Sequence, residues 1–157
     1  MPQMTDKIRV GIVGATVTQG GSGWGANAHV PALKALAHYE LKAVCTAHED
    51  TAKASAAAFG TERAFHRFSD MAAHPDVDLV VVCVRVPGHR DLVMAGLQAG
   101  KAVLCEWPLG RTLAEARARA RARDPGSRRP ARWAPGEVAR SPMEPRTRSR
   151  WHSALLI

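Results

Sequence analysis

The stretch of the sequence richest in binding chemistry runs from Gly11 to His29, where Gly11, Gly14, Gly20, Gly21, Gly23 and Gly25 crowd together. Residues without a Cβ let the main chain come close to a pyrophosphate, with N–H groups aimed at its oxygens. The stretch follows the β-branched run Lys7–Val13 and precedes a helix-like pattern, so a helix N-terminus adds partial positive charge. That is how a dinucleotide uses the first βα turn of a parallel sheet. The strict G-x-G-x-x-G is not present at Gly14, because Thr16 holds the second glycine position. Gly21-Ser22-Gly23-Trp24-Gly25-Ala26 fits G-x-G-x-x-A but starts eight residues after Val13, so the turn is longer than usual. Gly14, Ala15, Thr16, Gly21, Gly23, Trp24 and Gly25 are the candidate phosphate-side residues; the plainer reading is a surface loop. No G-K-[ST] follows, which argues against a nucleoside-triphosphate loop.

A second position reads on the adenosine ribose. An acid at the end of the second strand, roughly 20 residues past the glycines, would bind the 2′-hydroxyl. Thr46 stands there instead. A neutral hydroxyl does not repel a 2′-phosphate, and His48 or Lys53 is placed to approach one, which tilts the reading from NAD towards NADP. The alternative for Thr46 is a helix cap with no ligand role. Arg85, Pro87 and His89 follow the most apolar strand and face the same sheet edge. Arg85 meets either a phosphate or an acid, and His89 either the nicotinamide ribose or solvent at a helix start. The histidines are scattered without H-x-x-x-H or H-E-x-x-H, so no metal site is expected, and no Ser-His-Asp or Cys-His set can be argued. Cys45, Cys83 and Cys105 each sit in an apolar stretch and read as buried reduced thiols.

These residues need a scaffold, and the chain supplies alternating patterns. Strand-like runs at Lys7–Val13, Leu41–Cys45, Ala64–His66, Asp78–Val84 and Ala102–Cys105 are separated by helical ones. The helices are expected over Asn27–His38, Glu49–Phe59 with a stop at Gly60, a short one capped by Ser69, and Gly88–Ala99 with a stop at Gly100. Another should open at the capping box Thr112-Leu113-Ala114-Glu115. Asp78–Val84 is apolar at nearly every position, as in a parallel sheet buried on both faces. The pattern predicts an α/β, Rossmann-like parallel sheet of about five strands with flanking helices.

The net charge of +8 on 157 residues is unevenly placed. Residues 1–116 carry five Lys and six Arg against eleven acids, whereas 117–157 carry eleven Arg and three acids. The body is therefore neutral, and the charge says nothing of its partners. Residues 117–157 also hold Pro125, Pro130, Pro135, Pro142 and Pro145, which preclude a long helix. The expected organisation is a dinucleotide-binding domain over 1–123, a disordered Arg/Pro-rich tail over 124–157, and no substrate domain. Nucleic acid is a partner only through that tail. The outer edge of the fifth strand, with no sixth strand in view, is a site for self-association. No window reaches about 18 uncharged apolar residues, and the N-terminus lacks a signal pattern, so the expectation is a cytoplasmic protein without a membrane span.

The segment from Ile8 to Glu115 resembles the N-terminal domain of the Gfo/Idh/MocA oxidoreductases. The likeness rests on the glycine turn with His29 and Pro31-Ala32-Leu33, and on Val81–Val84 leading to Pro87 and His89. It rests also on Ala99-Gly100-Lys101-Ala102-Val103-Leu104-Cys105-Glu106-Trp107-Pro108, which is similar to the family's A-G-K-x-V-x-x-E-K-P. The resemblance implies NADP or NAD as cofactor, with Glu106 either near the cofactor's ribose or carboxamide or only capping a helix. Trp107 replaces the lysine that the family places beside nicotinamide and substrate, and an indole cannot relay a proton. Glu106-Trp107-Pro108-Leu109-Gly110 looks like the branch that includes the yeast galactose-pathway repressor, a dinucleotide-binding regulator. Trp107 then either stacks on a nicotinamide or caps the sheet edge. The resemblance therefore implies nucleotide binding without turnover, or a non-catalytic dinucleotide sensor.

Overall fold

The computed structural model describes residues 7–17, 23–122 and 155–156. Five parallel strands form its centre: β1 (Ile8–Val13), β2 (Tyr39–Cys45), β3 (Arg63–Phe65), β4 (Leu79–Val82) and β5 (Ala102–Cys105), in the order β3-β2-β1-β4-β5. The order reverses direction between β1 and β4, which opens a crevice at the carboxyl ends of those two strands. β1 pairs with β2 through a one-residue register shift between Val10 and Gly11, and with β4 in register.

The alternation of side chains divides the core between two faces. Val10, Ile12, Val44, Leu79 and Val81 pack with Val30 and Leu33 of α1 (Val30–Ala35) and with Ala56 and Phe59 of α2 (Glu49–Phe59). Val13, Ala43, Val80, Val82 and Val103 pack with Met71 of α3 (Phe68–Ala73) and Val93 of α4 (His89–Gln98) on the other. β4 is buried at all four positions, as its unbroken apolar run predicts. Burying a Val-sized side chain contributes about 1.5–3 kcal/mol, so this strand anchors both layers.

Several boundaries differ from the sequence reading for local reasons. The first helix begins earlier, as a π-helical turn over Gly25–His29, and ends at Ala35 rather than His38. Pro31 has no N–H to donate and its ring crowds the preceding turn, which suits the wider spiral there. Ser69 does not cap α3: Arg67 takes that place, and the Ser69 hydroxyl donates to Asp70. The glycine stops hold, with Gly60 at φ 64° and Gly100 at φ 74°. The capping box at the start of α5 (Leu113–Ala122) forms, with the Glu115 N–H donating to the Thr112 hydroxyl, while the Glu115 carboxylate accepts from the Arg111 N–H.

Most of the tail reading lies outside the described residues. Its described part is β6 (Leu155–Leu156), which pairs antiparallel with Leu104 and Cys105. The edge of β5 that the sequence leaves without a partner is thus partly paired by the chain itself. Among the described residues, no helix is long and apolar enough to cross a membrane.

The amino ends of the strands are fastened by ions. Arg9 donates from its backbone N–H and Nε to Asp78 Oδ2, and from its two terminal nitrogens to Asp78 and Asp76. Arg63 also reaches Asp76, at 2.9 Å. Lys101, at the head of β5, donates to the carbonyls of His74 and Val77 at 3.0 and 2.7 Å.

Candidate functional site

The opposite, carboxyl edge carries the candidate ligand groups. β1 ends at Gly14, whose φ of 95° is a conformation that L side chains rarely adopt. Its N–H donates to the Cys45 carbonyl at 3.1 Å, and a Cβ there would lie 2.5 Å from the Cys83 carbonyl oxygen. Only glycine lets the chain leave β1 between β2 and β4. Gly25 serves packing instead. A Cβ there would meet Cys83 Cβ at 3.1 Å and Ala15 Cα at 3.2 Å, so its absence seats the first helical turn on the sheet. Among the described residues, a Cβ at Gly23 would meet nothing nearer than the Gly14 carbonyl oxygen at 3.9 Å.

A cleft of ≈440 Å³ opens beside this turn, over the ends of β1, β2 and β3. It is lined by Gly14, Thr16, Thr46, His48, Thr51 and His66, together with Val84 and Leu92. Thr46 is nearly buried, and its hydroxyl is already engaged: it donates to the His48 carbonyl at 2.9 Å and lies 2.6 Å from the Thr51 hydroxyl. His48, not Thr46, stands at the cap position of α2, without a side-chain capping bond. Lys53 lies on the exposed face of that helix, paired with Glu49 at 2.6 Å. Cys45 also lines the cleft, and burial pushes its thiol up to about 11, with Asp70 adding to the effect.

The remaining candidates scatter along the edge. Ala15 is fully buried in the core beside α1, so its backbone alone is available to a ligand. Trp24, Arg85 and Pro87 are exposed. Gly21 lies outside the described residues. His89 opens α4 as expected, yet it faces neither solvent nor the cleft: it is 1 % exposed. Its Nε2 lies 2.7 Å from the Val84 carbonyl and its Nδ1 3.1 Å from the Pro108 carbonyl, so the ring ties the loop after β4 to the loop after β5. Trp107 is 58 % exposed on that second loop, ahead of a cis Pro108.

Glu106 turns inward from the same loop. His29 Nε2 donates to Glu106 Oε1 at 2.9 Å, both side chains less than a fifth exposed. The Cys83 sulfur lies within 4.8 Å of a ring nitrogen of His29 and a carboxylate oxygen of Glu106; burial raises its pKa well above the ordinary thiol range, and the neighbouring Glu106 carboxylate raises it further. The sequence spacing shows no such cluster, because His29, Cys83 and Glu106 lie on three separate elements. Ser55 escapes sequence reasoning as well. It is fully buried in α2, and its hydroxyl accepts the Val17 N–H at 3.2 Å, anchoring the glycine turn. A lone Ser on the Ala52-Ala56-Phe59 stripe is the signal that could have found it, since a buried hydroxyl needs a partner.

The profile of the Gfo/Idh/MocA family, described as "Oxidoreductase family, NAD-binding Rossmann fold", matches residues 8–125. The chain belongs to this oxidoreductase family. Among curated proteins similar to it, the dehydrogenase aclE of Aspergillus oryzae is 47 % identical over 89 residues, which is 55 % of this chain and 24 % of that protein. The D-apiose dehydrogenase of Paraburkholderia graminis is 35 % identical over 98 residues, 62 % of this chain and 26 % of its own length. Among solved structures, a 3-ketoreductase from Actinomadura kijaniata in complex with NADP and TDP-benzene superposes with a TM-score of 0.66 at 28 % identity, covering 74 % of this chain and 34 % of that one. The chain thus spans about a quarter to a third of the length of these relatives.

Proposed function

We propose that this chain supplies the coenzyme half of a nicotinamide-dependent oxidoreductase, holding NADP or NAD across the carboxyl edge of its sheet. Residues 1–123 are the binding unit. The observation that carries the reading is Gly14, where a positive φ and the nearby Cys83 carbonyl leave no room for a side chain. A bend built this way, beside an open cleft at the strand-order switch, suits a diphosphate held by main-chain amides.

Gly14, Ala15, Thr16, Gly21, Gly23, Trp24 and Gly25 surround the diphosphate on this reading. Thr46 and His48 take the adenosine ribose, and the absence of an acid at Thr46 favours NADP. Arg85, Pro87, Glu106 and Trp107 border the nicotinamide side. His89 acts there through the loop it holds, since both ring nitrogens already face carbonyls. The coenzyme, when bound, supplies hydride transfer; the residues here bind and orient it. The relatives named as dehydrogenases are about four times the matched length, so on this reading the matched span by itself binds without turnover. The three free thiols suit a reducing, cytoplasmic setting.

A second reading is favoured by Trp107. Its exposed indole stands where the family motif places a lysine, and it offers no titratable proton. That arrangement suits a regulatory relative, of the galactose-pathway repressor kind, that senses the dinucleotide without redox chemistry.

The test is a calorimetric titration of the full chain with NADPH and NADH. Binding of either, tighter for NADPH, and its loss in Gly14→Ala are the expected results. A folded chain that binds neither overturns both readings.

A further inference from the structure

The geometry points to a divalent-cation site of the zinc class formed by His29, Cys83 and Glu106, with one coordination position open to the carboxyl edge. It goes beyond coenzyme binding and does not depend on it.

The three side chains offer an imidazole nitrogen, a sulfur and a carboxylate oxygen, and all three donor atoms lie within 4.8 Å of one another. These are the three ligand types that zinc takes in proteins. With metal–ligand lengths of about 2.0–2.3 Å, a tetrahedral ion holds its ligands about 3.4–3.6 Å apart. His29 Nε2 and Glu106 Oε1, now 2.9 Å apart, need to separate by roughly half an ångström to admit one. That is within the reach of a side-chain torsion.

The donors are also held from different directions. His29 closes the π-helical turn over Gly25–His29. Cys83 follows β4, with its N–H bonded to the Val13 carbonyl at 2.9 Å, and Glu106 follows β5, with its N–H bonded to the Val82 carbonyl at 3.3 Å. Gly25 keeps the first helical turn within van der Waals reach of Cys83. Three protein ligands on rigid elements, with a fourth position left over, is the pattern of an open zinc site rather than a closed structural one. The His29 and Glu106 side chains are 15 % and 19 % exposed, so an ion has a way in. On binding, the Cys83 thiol proton leaves to solvent, and the His29 ring proton passes through solvent from Nε2 to Nδ1, which frees Nε2 as a ligand; the His29–Glu106 hydrogen bond gives way to three metal–ligand bonds.

The alternative is that the three groups satisfy each other by hydrogen bonding and bind nothing. Cobalt(II), added to the full chain after chelator treatment and without dinucleotide, separates the two. The expected result is a near-ultraviolet thiolate-to-cobalt absorption that saturates at one equivalent and is displaced by zinc. Cys83→Ser should abolish that band, and His29→Gln or Glu106→Gln should weaken cobalt binding by about tenfold or more. No band in the unaltered chain, or a band that survives Cys83→Ser, overturns the site. Should the variants fail to fold, the unaltered chain still decides: one equivalent of zinc must slow alkylation of Cys83, read by peptide mass spectrometry, and leave Cys45 and Cys105 unchanged. Equal rates with and without zinc overturn the proposal. A titration with NADPH in excess chelator, run in parallel, reports on coenzyme binding separately.

Discussion

A single backbone angle governs much of this chemistry. At Gly14 an alanine meets both an unfavourable φ and a carbonyl oxygen 2.5 Å from its Cβ. The conformational part alone costs about 1–2 kcal/mol. With the overlap added, Gly14→Ala should lose about 2–4 kcal/mol in urea unfolding. An unchanged midpoint would show that the turn relaxes freely. This glycine is legible in the sequence because a β-branched run stops there. Thr46 is legible only as a missing acid. What its hydroxyl does is not, since its partners, the His48 carbonyl and the Thr51 hydroxyl, follow from how α2 starts rather than from residue type. Sequence alone places His89 at the surface or against a ribose, and its burial depends on a carbonyl 19 residues away.

Elements whose signal is local are readable in advance, and those settled by neighbours are not. β4 and α2 appear where an unbroken apolar run and a glycine stop place them. The start of the first helix is misplaced because the close packing of Gly25 on Cys83 and Ala15 draws the helix back towards Trp24, and that contact is not written in periodicity. The fastening of β5 is likewise invisible. Lys101 belongs to a recognisable motif, yet its role is to hold the carbonyls of His74 and Val77 in the loop ahead of β4. Lys101→Met keeps the aliphatic stem and removes both hydrogen bonds, so it should cost about 1–3 kcal/mol of stability. Thermal unfolding measures this, and a melting curve that overlays the parent's would assign those carbonyls to water instead.

Taken as a whole, the molecule has two unlike ends, and its response to acid belongs to one of them. Arg63 holds the Asp76 carboxyl below its ordinary value, with His74 and Arg9 adding to the effect. A carboxylate lowered by folding stabilises the protein above its unfolded pKa of about 3.9 and loses that contribution as pH falls through the lowered value. Asp76→Asn should therefore flatten the acid limb of a plot of unfolding midpoint against pH, leaving its shape near neutrality unaltered; an unchanged acid limb would remove Asp76 from the account. The fasteners of the sheet, Arg9, Asp76, Asp78 and Lys101, sit at the strand starts, while Gly14, Thr46, Cys83 and Glu106 sit at the strand finishes. Apart from the bend at Gly14, selection can consequently rewrite one lip of the fold while the other keeps it shut. Drift in what the protein prefers to hold need not appear as drift in how long it survives.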